Sequence, residues 1–455
     1  MLLCGSAKSC ITPGKEFLEN LRGLMGKKFV AVEDDIYVRV LALKLGDRTW
    51  LICGFDLDKA PNPQSSIEAI SREFDIQQEY ITFYGIHTHT APALGNRSGE
   101  GFNNVKRLSQ TISETTEQYE QYVFEKLRET VRAALDGMIP ANVRYGRTLC
   151  GCNVNRCMDF YSVDEQGNLS LVIQEDPNPL GPVDHYVYVI QFEAYDGRFI
   201  GFLVNYAVHN TVMFMNSADS EGNCAVSADL GGNVSKMIEN RFPETVALWC
   251  SGVAGNVAPL RPSIRMHQEP DEENYQFSYR QKKTILKQMC ANHYAAVMEA
   301  LNELSDPLNP ERISAGVYWT KTPSRTILRD EDSAGKTVHM LSVSDDAGYF
   351  IRLHLTKLGT MLVIGIGGEL YSTYALMLQE RYYQLHVIVI NHDASMIRDA
   401  GYIVDDETWD RIDYLPLSSC RLPGTPPRFE KGYVAQAIFD AVDAFLAESE
   451  EEQNG

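Results

Sequence analysis

The residues whose spacing most directly suggests chemistry are His87 and His89, in the segment HTHTAP over 87–92. The apolar run Ile81–Tyr84 that precedes them is typical of a strand. In an extended chain, residues two apart point to the same face, whereas on a helix they would lie about 200° apart and could not share an ion. One imidazole could therefore bind a metal with the other beside it, although such a pair can also be an ordinary surface or turn feature.

Several other polar residues also follow apolar runs that are predicted to be strands. These residues are His209, Asn256, Glu369 and Asn391, and the runs that precede them are 199–206, 246–250, 361–366 and 386–390. In α/β sheets, ligands bind where the loops at strand ends converge. We therefore expect one site, assembled from segments that are far apart in the sequence.

The periodicity of the chain predicts an α/β fold class: a mixed-sheet, layered domain with helices packed on the sheets and the site at the strand ends. Helices are predicted over 62–74, 117–138, 233–241, 280–304 and 434–446, and an exposed loop or lid over 268–279. We find no linker or repeat that divides the chain. We expect a single domain over residues 1–446, followed by an acidic, frayed tail over 447–455.

Composition narrows the class of function. The chain has 455 residues and a formal net charge of −20, which argues against a nucleic-acid partner, since phosphates attract a basic surface. The ten cysteines are scattered, as expected for reduced thiols. Cys150, Cys152 and Cys157 cluster, and a metal site there stays open. With no signal peptide or transmembrane segment predicted, we expect a cytoplasmic protein.

Several segments, taken together and in order, resemble the neutral/alkaline ceramidase family over most of the chain, without its C-terminal immunoglobulin-like domain. The segments are HTHTAP (87–92), NYAVHNTVM (205–213), SADLGGNVSKMIE (227–239), SGVAGNVAP (251–259), GIGGELYS (365–372) and the region 391–402. Where larger members of the family read GDVSPN, this chain reads GNVAPL, so that Asn256 and Ala258 replace an Asp and a Ser.

The resemblance implies a catalytic zinc, one per chain, with the ligands His87, His209, Glu369 and Tyr402. It implies that His89 carries a proton, that Arg156 holds polar groups of the substrate and that Tyr414 hydrogen-bonds the developing oxyanion. Imidazole and carboxylate are ordinary zinc ligands, whereas a phenol is less usual.

We therefore expect a zinc-dependent hydrolase that cleaves a linear amide (N-acyl) bond by attack of zinc-bound water. The substrate would be a small molecule or an N-acyl lipid, in which case the enzyme belongs to lipid metabolism. Two alternatives stay open: an esterase or lactonase on the same metal site, and a non-catalytic binding protein with the same fold. A serine hydrolase is disfavoured because the sequence has no GxSxG motif.

Overall fold

The structure, a computed structural model, describes residues 1–24, 26–94, 113–163, 166–260, 272–331, 337–394, 400–409 and 429–454. Within these ranges, helices pack against two larger sheets and three smaller ones, and both parallel and antiparallel strand pairs occur. The predicted mixed α/β fold class is confirmed.

The strands are β1 (Leu3–Cys10), β2 (Phe29–Val32), β3 (Tyr37–Leu45), β4 (Arg48–Phe55), β5 (Ile81–Gly85), β6 (Ile139–Leu149), β7 (Asn153–Val163), β8 (Leu169–Asn178), β9 (Tyr186–Ala194), β10 (Phe199–Tyr206), β11 (Cys224–Val226), β12 (Val246–Ser251), β13 (Val257–Pro259), β14 (Ile313–Glu331), β15 (Thr337–Leu358), β16 (Met361–Ile366), β17 (Glu369–Leu370), β18 (His386–Asn391) and β19 (Tyr402–Ile403). The first large sheet has eight strands in the order β12-β10-β9-β6-β1-β3-β4-β5. The second has four, in the order β14-β15-β16-β18. The smaller sheets are β11-β2, β13-β7-β8 and β17-β19.

The helices are α1 (Lys15–Leu18), α2 (Pro63–Phe74), α3 (Glu114–Asp136), α4 (Asp229–Arg241), α5 (Glu272–Asn302), α6 (Ser372–Arg381), α7 (Asp406–Trp409) and α8 (Val434–Asn454), with a 3-10 helix at Gln78–Tyr80. Helix α3 shows why the periodicity was informative. Its buried residues Tyr119, Val123, Leu127 and Val131 recur every four positions and face the first sheet. The side chain of Ser113 caps its N-terminus by accepting from the amide of Thr116.

The helix boundaries that differ most from the prediction are those of α5 and α8. Helix α5 begins at Glu272, so the last eight residues of the segment predicted as a loop, 272–279, are helical. Helix α8 continues past Leu446 to Asn454, since its Glu-rich last turns consist of residues with good helix propensity.

The two large sheets each have a hydrophobic core, and a buried carboxylate, Asp393, joins them. Asp393 follows β18 and accepts a hydrogen bond of 3.1 Å from the amide of Phe83 in β5. Its Oδ2 lies 2.8 Å from Nδ1 of His354 and 3.4 Å from Nη1 of Arg352, both on β15. Burial by itself would raise the pKa of Asp393, but these two partners outweigh it and the pKa is lowered.

We expect Asp393→Asn to lower the free energy of unfolding by about 3 kcal/mol at pH 7, because it leaves the buried Arg352 without its counter-charge. The measurement is urea denaturation, with Asp47→Asn as the control, since the Asp47 side chain is 91% exposed. The lowered pKa means that this stabilisation is present above about pH 4, the unfolded pKa, and is lost as the pH falls through the folded pKa. An equal stability difference throughout an acid titration would contradict this assignment.

Three parallel strand pairs in the two large sheets determine where the loops at their carboxyl ends lie. At these ends, Phe55 of β4 pairs with Gly85 of β5, and Ile366 of β16 pairs with Asn391 of β18. In the pair of β10 and β12, Tyr206 lies opposite Ser251. The segments that follow these carboxyl ends therefore meet, and they contain the candidate site.

Candidate metal centre

The imidazole of His87 is oriented by a carboxylate from the neighbouring strand end. His87 is 3% exposed, and its Nδ1 lies 2.7 Å from Oδ1 of Asp58. A carboxylate at this nitrogen favours the tautomer with hydrogen on Nδ1, which leaves the lone pair of Nε2 free to bind a metal. Burial opposes protonation of the ring, but Glu369 and Asp58 together raise the pKa of His87.

The backbone holds His87 in an unusual conformation. Its φ of 63° lies in the left-handed region, which costs a non-glycine residue roughly 1–3 kcal/mol. The amide of His87 donates to the carbonyl of Leu57 at 3.0 Å, and Asn210 donates its side-chain amide to the carbonyl of Ile86. These hydrogen bonds connect the segment 86–87 to the loops that follow β4 and β10. They therefore bring His87 close to His209, which lies in the loop after β10.

His209 has the same tautomer for a different reason. Its Nδ1 lies 3.0 Å from the carbonyl oxygen of Val257, which can only accept, so the hydrogen is on Nδ1. The lone pair of Nε2 then points at Oε2 of Glu369, 3.1 Å away. Burial, with help from the nearby Arg156, lowers the pKa of His209 to about 4, which keeps the ring neutral and able to bind a metal.

Glu369 supplies the third donor atom. Its Oε2 also lies 3.6 Å from Nε2 of His87 and has no hydrogen-bond partner in the described structure, although the residue is buried. Burial would raise the pKa of this carboxyl, but the surrounding histidines outweigh it and the pKa is well below its usual range. Tetrahedral zinc with bonds of about 2.0 Å separates its ligand atoms by about 3.3 Å. The separations of 3.1 and 3.6 Å fit this geometry.

A second group of possible ligands, Asp58, His87 and His89, overlaps the first. The 2.7 Å between Asp58 Oδ1 and His87 Nδ1 is a hydrogen-bonding distance and is short for two ligands of one ion. Because the Asp58 contact uses Nδ1, the metal-binding nitrogen of His87 faces Glu369. The geometry therefore favours the cluster of His87, His209 and Glu369.

Tyr402 and Arg156 lie at the side of this cluster. Tyr402 pairs directly with Glu369 in the short β17-β19 ladder, and its ring is nearly parallel to that of His209, at 15° and 6.3 Å between centroids. Nη2 of Arg156 donates to the Tyr402 hydroxyl at 3.2 Å and to the carbonyl of Gly255 at 2.7 Å. The guanidinium can thus stabilise negative charge on the phenol oxygen or on a ligand beside it.

His89 stands next to the cluster and is less enclosed. Its Nε2 lies 3.1 Å from Nε2 of His87, and its side chain is 13% exposed against 4% for His87. The ring packs edge-on against Phe214, with 5.2 Å between centroids. Burial and the neighbouring His87 lower the pKa of His89 well below its usual value, so at neutral pH the ring has a lone pair that can accept a proton.

Comparison with known proteins adds one finding. No protein-family model and no curated protein matches the sequence. Among solved structures, neutral ceramidase from Pseudomonas aeruginosa matches 97% of this chain and 73% of its own, with a TM-score of 0.66 and 13% identity. A ceramidase complexed with C2 matches 96% of this chain and 73% of its own, with a TM-score of 0.64 and 13% identity. The chain has the fold of neutral ceramidase.

This ceramidase fold brings together His87, His209, Glu369, Tyr402, Arg156 and His89, which come from five separate segments. Tyr414 lies outside the described residues. At 13% identity the similarity establishes the fold, so the roles of these residues stay predictions.

Two residues of the site were not foreseen from the sequence. Asp58 orients His87, and His392 stacks on the opposite side of that ring at 3.8 Å and 19°. Their positions in the sequence could have indicated them, because Asp58 follows the end of β4 and His392 follows the end of β18.

Asn256, one of the departures from the larger ceramidases, has a structural role here. Its Oδ1 accepts a hydrogen bond of 2.8 Å from the amide of Ser372, the first residue of α6. An amide oxygen satisfies this helix terminus as a carboxylate oxygen would. Asn256 therefore supports the start of α6, three residues after Glu369.

Proposed function

We propose that this chain is a zinc-dependent hydrolase that cleaves the linear amide bond of an N-acyl lipid, and that the ligands are His87, His209, Glu369 and Tyr402. The observation that carries the proposal is the convergence of two imidazole lone pairs on the unpartnered, buried Oε2 of Glu369. The fold shared with neutral ceramidase supports the choice of reaction. Within the described residues no helix is long and apolar enough to cross a bilayer.

When bound, zinc supplies Lewis-acid chemistry: it polarises a carbonyl and lowers the pKa of a water molecule. The chain's own residues then have distinct tasks. His89 accepts a proton from the attacking water at its unprotonated ring nitrogen and returns it to the leaving amine. Arg156 binds polar groups of the substrate, and Asp58 and His392 hold the ring of His87 in place.

The function is tested with the purified protein, supplied with zinc, on a matched pair of substrates that share one acyl chain: an N-acyl amide and the corresponding ester. We expect metal-dependent release of fatty acid from the amide, abolished by a chelator and restored by zinc. Hydrolysis of the ester alone would replace the proposal with an esterase. A protein that binds no zinc and hydrolyses neither substrate would refute it.

We expect Asp58→Asn to lower metal affinity about 10- to 100-fold, as removal of an outer-sphere partner of a metal-bound histidine generally does. Asn keeps the size of the side chain but removes the charge that stabilises the Nδ1 hydrogen of His87. Competition with a chromophoric chelator measures the affinity. Asp75→Asn, at the end of α2, is the control, and unchanged affinity in Asp58→Asn would show that the contact does not support a ligand.

A further inference from the structure

Cys150 and Cys152, in the sequence Cys150-Gly151-Cys152 between β6 and β7, form a pair that the proposed hydrolase does not use. Both residues are buried, at 4% exposure each, and the Cys152 thiol donates a weak hydrogen bond of 3.8 Å to the carbonyl of Met289. The turn that carries them is fixed by one hydroxyl. The OH of Tyr206 donates to the carbonyl of Cys150 at 2.6 Å and accepts from the amide of Cys152 at 3.0 Å.

A buried histidine from α5 completes the group. Nδ1 of His293 lies 3.5 Å from the sulfur of Cys150, and Nε2 of His293 lies 3.0 Å from Nε1 of Trp249. An indole nitrogen only donates, so Nε2 accepts and the hydrogen of the imidazole is on Nδ1. That hydrogen points at the sulfur of Cys150. Because Nδ1 is protonated, it is a donor to a thiolate and not a ligand for a metal.

The contact with His293 distinguishes Cys150 from the other buried thiols. The neighbouring Cys152 and His293, opposed by burial, lower the pKa of Cys150, whereas Cys150 and burial raise the pKa of Cys152. Burial raises the pKa of Cys53, and it raises that of Cys250 to about 12. Since the thiolate is the reactive form, Cys150 is the best prepared to react among the buried cysteines that the structure describes.

We propose that Cys150 and Cys152 form an oxidisable dithiol, a modification site at which a peroxide converts the pair to an intrachain disulfide. The thiolate of Cys150 attacks one peroxide oxygen, the O–O bond breaks, and Cys150 becomes a sulfenic acid while hydroxide leaves. The thiol of Cys152 then loses its proton and attacks the sulfur of Cys150, which forms the S–S bond and releases water. The two sulfurs lose two electrons, and the peroxide gains them.

The position of the pair connects it to the candidate metal centre. The carbonyl of Cys152 accepts from the amide of Leu260, and the adjacent β7 pairs with β13, with Asn155 opposite Val257. The carbonyl oxygen of Val257 accepts the hydrogen bond from Nδ1 of His209. Strand β7 also contains Arg156. The dithiol thus lies at the start of the ladder that borders the site, and its oxidation is a chemistry separate from hydrolysis.

Peptide mapping tests the proposal on the whole protein. Trypsin cleavage after Arg147 and Arg156 gives a peptide, residues 148–156, that contains both cysteines. The reduced protein is exposed to a small excess of hydrogen peroxide, denatured in an alkylating reagent and digested. We expect this peptide to carry no alkyl group and to be about two mass units lighter than its reduced form, whereas Cys53 and Cys250 remain alkylated.

Two variants identify the order of events. In Cys152→Ser, a sulfenic-acid probe such as dimedone should label Cys150, and in Cys150→Ser, Cys152 should stay alkylatable. Cys10, which is exposed, shows that the peroxide was active. The proposal is overturned if residues 148–156 keep two alkyl groups under conditions that oxidise Cys10, or if Cys150 forms its disulfide with a different cysteine.

Discussion

Glu369→Gln is expected to release the metal from the purified protein and to lower kcat/KM by at least about 1,000-fold, since loss of metal removes both carbonyl polarisation and water activation. Glu369 is the one anionic donor in the cluster with His87 and His209. The amide of Gln keeps the size of the side chain but is a much weaker ligand for a divalent cation. The other two donors of the cluster are imidazoles, which bind a metal through the lone pair of an uncharged ring, so neither of them replaces the lost negative charge.

Metal content by atomic spectroscopy and the rate of amide hydrolysis are measured on the same preparation. Glu380→Gln, an exposed position on α6, is the control for the chemical change, and circular dichroism verifies folding. If the Glu369→Gln protein binds one metal per chain and hydrolyses the amide at the wild-type rate, the cluster of His87, His209 and Glu369 is not the catalytic metal site.

The second large effect concerns His89. His89→Gln is expected to retain the metal but to lower kcat by about 100- to 10,000-fold, the range usual for loss of a general acid–base group. Nε2 of His89 lies 3.1 Å from Nε2 of His87, whereas Nδ1 of His89 is buried without a hydrogen-bond partner in the described structure. No carboxylate or carbonyl therefore orients the His89 ring as Asp58 and Val257 orient the two proposed ligands. Gln can donate and accept hydrogen bonds in the same space, but it cannot carry a proton between a water and an amine.

The design separates proton transfer from metal binding. Metal content equal to wild type, together with low turnover, supports the assignment, and His386→Gln, a position stacked on Tyr145, is the control. Loss of metal would make His89 a ligand, in agreement with the overlapping group of Asp58, His87 and His89. Full activity would remove His89 from the mechanism.

Much of the fold was predictable because it depends on local patterns. The hairpin of β3 and β4 follows from two apolar runs separated by Gly46-Asp47, and Gly46 adopts the positive φ that a tight turn requires. Helix α3 was evident from its buried stripe. The boundaries of α5 and α8 were missed, since polar sequences such as 272–279 and 447–454 form helix or coil depending on what they adjoin.

The site was predictable only in part. Each of His87, His209 and Glu369 follows an apolar strand, and the order of the motifs indicated that they act together. Asp58 gave no such signal, because one Asp after a strand is common and its importance depends on which strand lies beside it. The parallel pairing of β4 with β5, which aligns Asp58 with His87, is not evident in either segment alone.

The sequence by itself determined which side chains follow which strands, because alternation and turn residues act over a few positions. It also determined the acidic charge and the scattered thiols. Only the tertiary structure decided which strand ends meet, which nitrogen of each imidazole carries the hydrogen, and that His293 lies against Cys150. These features depend on contacts between residues that are distant in the sequence, such as His209 and Val257, 48 positions apart, and Cys150 and His293, 143 positions apart. Such contacts form only when the sheets and helices pack.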